Sequence, residues 1–130
     1  MKKIFLSLIL ILCCACTNNN IYTEYYKQHL NDFSNVSTYL LENYQVDKNS
    51  HLTLELNEIT DNNYILNKFS CVWIEEDSVT FWNDETKTLG LTYTKNIKKY
   101  LNNITKWYKD IDIAKINDYW YLIGQFNHIL

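Results

Sequence analysis

The sequence predicts one α+β domain over residues 21–130, with helix covering one face of an antiparallel sheet. The spacing of its apolar residues follows a helical period of about 3.6, changes to about two, returns to the helical period and ends at about two, so helices and strands are segregated along the chain. The length of 130 residues suffices for one domain but not for two. The hydrophobic content of 47% excludes an intrinsically disordered protein.

The first element is an amphipathic helix predicted over residues 21–44. Its apolar stripe recurs every three or four residues, and charged and amide side chains lie between the members of the stripe. We expect the helix to end before the largely polar segment 46–50. The stripe comprises Tyr22, Tyr26, Leu30, Phe33, Ser37, Leu40, Leu41 and Tyr44.

Four antiparallel strands are predicted to follow as a meander. The first is indicated by Leu52, Leu54 and Leu56, which alternate with polar residues. Gly90 lies opposite the apolar face of the fourth strand and indicates a bulge or the close approach of another group. The remaining strands are expected over residues 65–74, 79–82 and 88–94, separated by turns at 60–63, 75–78 and 83–85.

A second amphipathic helix is predicted over residues 96–108, because the helical period returns there. Thr94 and Asn96 are its alternative N-caps. The lysines of this segment are expected to form a solvated face, with docking on a membrane surface as the alternative interpretation. These lysines are Lys95, Lys98, Lys99 and Lys106, and they are offset by Asp110 and Asp112.

The C-terminal segment is predicted to form a hairpin, with strands over residues 111–116 and 119–126 around a turn at Asn117-Asp118. Three successive aromatic residues begin its second strand and place large side chains on both faces, so we expect at least one of them to be exposed or to cover a helix. The alternative is that they fill a core in which valine and alanine are scarce. The candidate interaction surface therefore consists of Tyr119, Trp120 and Tyr121.

The order of these elements looks like the small cystatin-like and NTF2-like layouts found in many secreted bacterial domains. The helix over residues 96–108 departs from the simplest version of those layouts. The resemblance rests on element order, and it implies a curved antiparallel sheet packed against helix without implying an activity.

The first sixteen residues form a segment of a different kind. Lys2 and Lys3 precede an apolar run from Ile4 to Leu12, and the segment closes on Cys13-Cys14-Ala15-Cys16. Charged, apolar and small residues in this order are typical of a secretory signal peptide. Residues 1–15 are therefore predicted to be removed from the working protein.

The closing tetrad resembles the lipobox of bacterial lipoproteins, in which a small residue precedes a cysteine that is acylated and becomes the mature N-terminus. The resemblance implies cleavage after Ala15, acylation of Cys16 and a tether over residues 17–20, although Cys13 stands where the family usually has leucine. It implies a lipid-anchored protein of the cell envelope, at the outer membrane if there are two, because Thr17 is not the aspartate that favours the inner one. The alternative is an uncleaved or non-lipidated secretory peptide.

The charge of the chain bears on its partners. The formal net charge is −3, and removal of residues 1–15 leaves ten lysines against fifteen carboxylates. Such an acidic body argues against nonspecific binding to nucleic acid or anionic lipid, which needs clustered cations. We therefore expect the acyl chains on Cys16 to supply the membrane attachment, and we expect no nucleic-acid partner.

Few residues have the spacing that metal binding or nucleophilic catalysis requires. His29, His51 and His128 are separated by 22 and 77 residues, so no metal or other cofactor is expected. The two glycines stand alone, which excludes a phosphate-binding loop. Cys71 is expected to be a buried, inert thiol.

Carboxylates at two predicted turns offer one pattern suited to acid–base chemistry or calcium binding. The side chains come together if both turns lie at one edge of the sheet, and they are solvated loop tips otherwise. The first turn carries Glu75, Glu76 and Asp77, and the second carries Asp84 and Glu85.

These features lead to the expectation of a lipid-anchored, noncatalytic binding or accessory module at the cell envelope, with an envelope protein or a glycan as its partner. An immunity or exclusion lipoprotein is a specific version of that function. The alternatives are an envelope glycan hydrolase that uses the turn carboxylates and a structural subunit of an envelope complex.

Overall fold

A computed structural model describes residues 24–55, 59, 69–83 and 89–124. The chain divides into two compact units, Met1–Asn31 and Asp32–Leu130. No helix within the described ranges is long and apolar enough to cross a bilayer. The elements are α1 (Leu30–Asn43), β1 (Leu52–Glu55), β2 (Cys71–Ile74), β3 (Ser78–Trp82), β4 (Leu89–Thr94), α2 (Ile97–Ile104), β5 (Asp112–Lys115) and β6 (Trp120–Gly124).

The predicted α+β class and element order are confirmed over the described residues. Residues 24–28 are also helical and are separated from α1 by a turn at His29, so the predicted first helix is interrupted there. The second predicted strand begins only at Cys71, and residues 60–68 lie outside the described part of the chain.

The six strands form one antiparallel sheet in the order β1-β2-β3-β4-β6-β5. The predicted meander is therefore confirmed as β1 to β4, and the predicted C-terminal hairpin is confirmed as β5 and β6. The hairpin joins the sheet through β6, which pairs with β4. This arrangement makes β6 a central strand, and it leaves β5 at the edge.

Helices cover both faces of this sheet, so the expectation of a single covered face is wrong. On one face, the Phe33 ring of α1 lies 5.4 Å from the Phe81 ring of β3. On the other face, Tyr100 and Ile104 of α2 pack in a buried cluster with Trp82 and other aromatic and aliphatic residues. Every residue of β2, β3 and β6 is accordingly buried. Such strands have no solvent-exposed face, because helices exclude water from both sides.

The start of α2 is determined by two polar residues, which resolves the alternative between the two predicted N-caps. Asn96 is the N-cap, and its side chain accepts a hydrogen bond from the Lys99 backbone N–H at 3.1 Å. Thr94 instead accepts from the Asn96 backbone N–H at 3.1 Å. Thr94 therefore orients the cap, and Asn96 satisfies an N–H that the first helical turn leaves unpaired.

Three buried hydroxyls attach the middle of α2 to the sheet. The Tyr100 hydroxyl lies 2.9 Å from Thr80 Oγ1 and 3.1 Å from Thr92 Oγ1, and the two threonine oxygens are 3.0 Å apart. Each hydroxyl has one proton and lone pairs to accept another, so the three can form a closed ring of hydrogen bonds. Burial raises the pKa of Tyr100 and keeps its hydroxyl protonated. This hydroxyl ring joins α2 to β3 and β4.

Gly90 provides the space in which the largest buried side chain lies. A Cβ atom at Gly90 would be 2.9 Å from Trp82 Cε3 and 3.2 Å from Thr80 Cγ2. Trp82 is fully buried, so its ring has little room to move away. The close approach that the sequence indicated at Gly90 is confirmed, and the indole of Trp82 makes it.

We expect Gly90→Ala to lower the free energy of unfolding by about 1–3 kcal/mol, because the added methyl group overpacks a closed core. The measurement is denaturant unfolding in the wild-type and Trp82→Phe backgrounds. The smaller phenyl ring should relieve the contact, so Gly90→Ala should cost less in the variant background. An equal cost in both backgrounds would show that Trp82 is not the source of the strain.

Candidate functional site

The structure separates the three members of the predicted aromatic surface. Asn117 Oδ1 accepts hydrogen bonds from the backbone N–H groups of Tyr119 at 2.9 Å and Trp120 at 3.0 Å, which confirms the predicted turn. Tyr119 is 53% exposed, as expected for at least one member, whereas Trp120 is 3% and Tyr121 is 8% exposed. Trp120 and Tyr121 are therefore removed from the candidate surface.

The alternation of β6 explains the burial of both residues. Trp120 faces α1 and donates from Nε1 to Ser34 Oγ at 3.3 Å. Tyr121 faces the opposite side and belongs to the cluster beneath α2. The sequence correctly indicated aromatic side chains on both faces of the strand, but each face is covered by a helix.

The predicted carboxylate pattern divides between the two ends of β3. Asp77 directly precedes this strand and Asn83 directly follows it, so the two turns are at opposite ends. Asp84 and Glu85 lie outside the described residues. The interpretation in which the carboxylates of the two turns come together therefore stays a prediction.

The first turn nevertheless forms a polar cleft against α2, and Glu75 lies at its base. Glu75 is only 6% exposed, so its interpretation as a solvated loop tip is also wrong. Ser78 Oγ donates to one of its carboxylate oxygens at 2.8 Å, and Asn103 Nδ2 donates to the other at 2.8 Å. These two donors satisfy a carboxylate that burial would otherwise destabilise.

The other two carboxylates of the turn are at the rim of the cleft and share one cation. Lys99 Nζ lies 2.7 Å from Glu76 Oε2 and 3.2 Å from Asp77 Oδ2. The side chain of Lys99 is 43% exposed and that of Glu76 is 39% exposed, so water screens these ion pairs and they contribute little to stability. Their position still ties the first turn of α2 to the β2–β3 turn.

The carboxylates of the cleft differ in the direction of their pKa shifts. Burial raises the pKa of Glu75, and the hydrogen bonds from Ser78 and Asn103 counter this effect only in part. The hydrogen bond and the positive charge from Lys99 lower the pKa of Glu76. Two neighbouring carboxylates with opposite shifts form a pattern that acid–base enzymes also use.

The size of the cleft limits what it can bind. Its volume is about 10 Å³, close to what one water molecule needs and far below a pocket of about 300 Å³ for a small organic molecule. Asn103 Oδ1 is buried in its wall and has no hydrogen-bond partner within the described ranges. The cleft is therefore suited to a single water molecule. The described residues contain no group of three histidine, cysteine or carboxylate side chains that could hold a metal ion.

The most exposed large apolar side chain in the described part of the chain is Trp107, just beyond α2. Its indole is 55% exposed and meets the His51 ring edge-on, with ring centroids 5.0 Å apart. The His51 ring stacks on Trp73 at 4.1 Å, and Trp73 in turn contacts Trp82 in the core at 5.4 Å. Trp107 thus ends an aromatic column that extends from the core to the surface.

Sequence periodicity places Trp107 in the apolar stripe of the second helix, so its exposure was not predicted. The structure ends α2 at Ile104 and places residues 105–107 in a turn, which moves the indole out of the core. Tyr108 remains half-buried and lies 5.9 Å from Trp82 between ring centroids. The early end of the helix had no evident signal in the sequence.

Cys71 is the next residue that the sequence analysis considered as a candidate site residue. Cys71 is not part of a disulfide and is 6% exposed, in agreement with the prediction of a buried thiol. Comparison of the chain with protein-family models, curated proteins and solved structures gives no match. The function of this chain is therefore inferred from its own sequence and structure.

We expect Glu75→Gln to raise the free energy of unfolding at pH 7 by up to about 1 kcal/mol. Because the native state raises the pKa of Glu75 above 4.5, the native carboxyl holds its proton more tightly than the unfolded one. Wild-type stability contributed by this group is thus present below pH 4.5 and lost as the pH rises through the native pKa. Denaturant unfolding between pH 4 and pH 7 measures the difference between variant and wild type, which should vanish at the acidic end.

The matched control for this prediction is Glu76→Gln, which should show the opposite dependence. The native pKa of Glu76 is lowered by Lys99, so its contribution is present at neutral pH and lost as the pH falls. Differences from wild type with the same sign in both variants would contradict the assignment of Glu75 as the buried member of the cleft.

Proposed function

We propose that this protein is a small bacterial lipoprotein, held at the cell envelope by acylated Cys16, whose α+β domain is a noncatalytic binding or accessory module. The lipobox-like residues Cys13 to Cys16 support the anchor. The observation that carries the binding role is the exposure of Trp107 at the end of an aromatic column. We define Trp107 and His51 as the aromatic platform.

Exposure of the Trp107 indole to water is unfavourable in free energy, and this supports a binding role for the aromatic platform. Trp107 is 55% exposed, although the other tryptophans of the chain are at most 6% exposed. Tryptophan is enriched at the centres of binding interfaces, because it buries a large area and loses little conformational entropy. The contact with His51 limits the motion of the ring, which prepares it for a partner before binding.

The hydrolase alternative has less support in the same geometry. Hydrolysis of a glycosidic bond requires two carboxyl groups roughly 5–10 Å apart on either side of a bound sugar ring. Glu76 and Asp77 are paired with Lys99, and the cleft above Glu75 has a volume of about 10 Å³. A sugar ring would have to displace α2 from the turn before it reached Glu75.

The anchor is tested by Cys16→Ser, followed by fractionation of cells and gel mobility of the mature protein. Removing the acylated sulfur should leave an unprocessed precursor or release the domain from the membrane, because two or more acyl chains are what holds such a protein permanently. A variant with unchanged processing and the same resistance to extraction by salt would contradict lipidation at Cys16.

The aromatic platform is tested by a photo-crosslinking amino acid in place of Trp107 in growing cells. A residue at a binding surface should form covalent adducts with an envelope component, whether protein, glycan or lipid. Asp118 provides the control position, since its side chain is 86% exposed in the turn between β5 and β6. Equal adduct yields at both positions would contradict a specific role for Trp107.

A further inference from the structure

The positive charges of this acidic chain are concentrated in one segment. Residues 95–109 contain five lysines and no carboxylate, whereas the remainder from Cys16 onward contains five lysines and fifteen carboxylates. The segment comprises α2, its N-cap and the turn that presents Trp107. The net charge of −3 is therefore the sum of a cationic segment, residues 95–109, and an acidic remainder.

Four of these lysines point outward and are free of ion pairs within the described ranges. They recur at intervals of three, eight and three residues along α2 and its flanking segments, and each of them is exposed. Lys99 differs, because it is bound to Glu76 and Asp77. We call the following four residues the lysine face: Lys95, Lys98, Lys106 and Lys109.

The acidic groups beside this segment offset the lysine face only in part. Glu76 and Asp77 share Lys99, which leaves one net negative charge at the rim of the cleft. Asp110 and Asp112 follow the segment, and their two charges are fewer than the four of the lysine face. Trp107 lies between Lys106 and Lys109, so a large apolar ring is flanked by cations.

We propose that the lysine face and Trp107 dock on the anionic headgroup layer of the bilayer that carries the lipid anchor. This inference rests on the proposed function and names the partner of the aromatic platform as the membrane surface itself. Lysines near an anionic bilayer are attracted to it, and a tryptophan ring is stable at the depth of the headgroups. The domain then rests on the membrane through α2, with its acidic remainder directed away.

Two features favour a bilayer over a discrete ligand. The cations are spread over fifteen residues and lie outside the cleft above Glu75, which suits a planar layer of many headgroups better than one phosphate group. The distance from Cys16 to Glu24 spans at most about 28 Å of extended chain, so an anchored domain stays close to the surface. A tethered contact of this kind needs little intrinsic affinity, because its effective concentration is high.

The test uses the full-length protein, extracted in detergent and reconstituted into two kinds of vesicle. One kind contains phosphatidylcholine alone, and the other contains about 30% phosphatidylglycerol to give an anionic surface. Both contain lipids brominated on their acyl chains, which quench tryptophan fluorescence on contact. Trp107→Phe identifies the contribution of this ring, since the other tryptophans are at most 6% exposed.

We expect quenching and a blue shift of Trp107 emission in the anionic vesicles, and little of either in phosphatidylcholine. About 0.5 M salt should reverse the effect, because it reduces the Debye length to a few ångströms. Replacing Lys98 and Lys106 with glutamine should weaken docking by about fivefold for each lysine. The control replaces Lys27 and Lys115, which changes the net charge equally but lies outside the lysine face.

The outcomes separate this inference from the proposed lipid anchor. Flotation of the protein with vesicles at high salt reports the anchor, and quenching of Trp107 reports docking. A protein that floats while Trp107 stays in water overturns the docking proposal alone. A protein that does not float but shows salt-sensitive quenching supports docking and contradicts the anchor. Equal losses in the control variant, or binding to soluble polyphosphate without any effect of vesicles, would also overturn docking.

Discussion

The attachment of α2 to the sheet by buried polar groups is the constraint on which the other features of this structure depend. An apolar stripe alone allows a short helix to slide or rotate on a flat surface, since burial has no direction. The hydroxyl ring of Tyr100, Thr80 and Thr92 and the hydrogen bond from Asn103 to Glu75 each have a required geometry. Together they determine both the position and the rotation of α2.

This constraint explains what the protein presents to its surroundings. With Tyr100 and Asn103 directed at the sheet, Lys98 on the opposite side of α2 is directed at solvent. Because the helix ends at Ile104, Trp107 emerges beside His51 rather than inside the core. The same contacts place Glu75 at the base of a cleft whose volume is about 10 Å³.

Much of the fold was predictable because it depends on local patterns. Alternating and helical periods located α1, α2 and the strands, and the isolated Gly90 indicated the close approach that Trp82 makes. The burial of Trp120 depends on α1, whose Ser34 is 86 residues away, and no local pattern indicates such a contact. Glu75 is similar, since its partner Asn103 lies 28 residues further along the chain. Long-range partners of this kind decide which polar or aromatic residues become buried, and single-residue patterns do not identify them.

Hydrogen exchange of the backbone amides in wild type and Tyr100→Phe tests most directly whether the hydroxyl ring holds α2 in place. In the wild type, amides of α2 should be protected to a similar degree as those of β3 and β4. The variant should lose protection selectively in α2, because opening the ring removes about 1 kcal/mol from the attachment of the helix while the sheet stays paired. Unprotected α2 amides in the wild type, or a uniform loss throughout the sheet in the variant, would contradict this account.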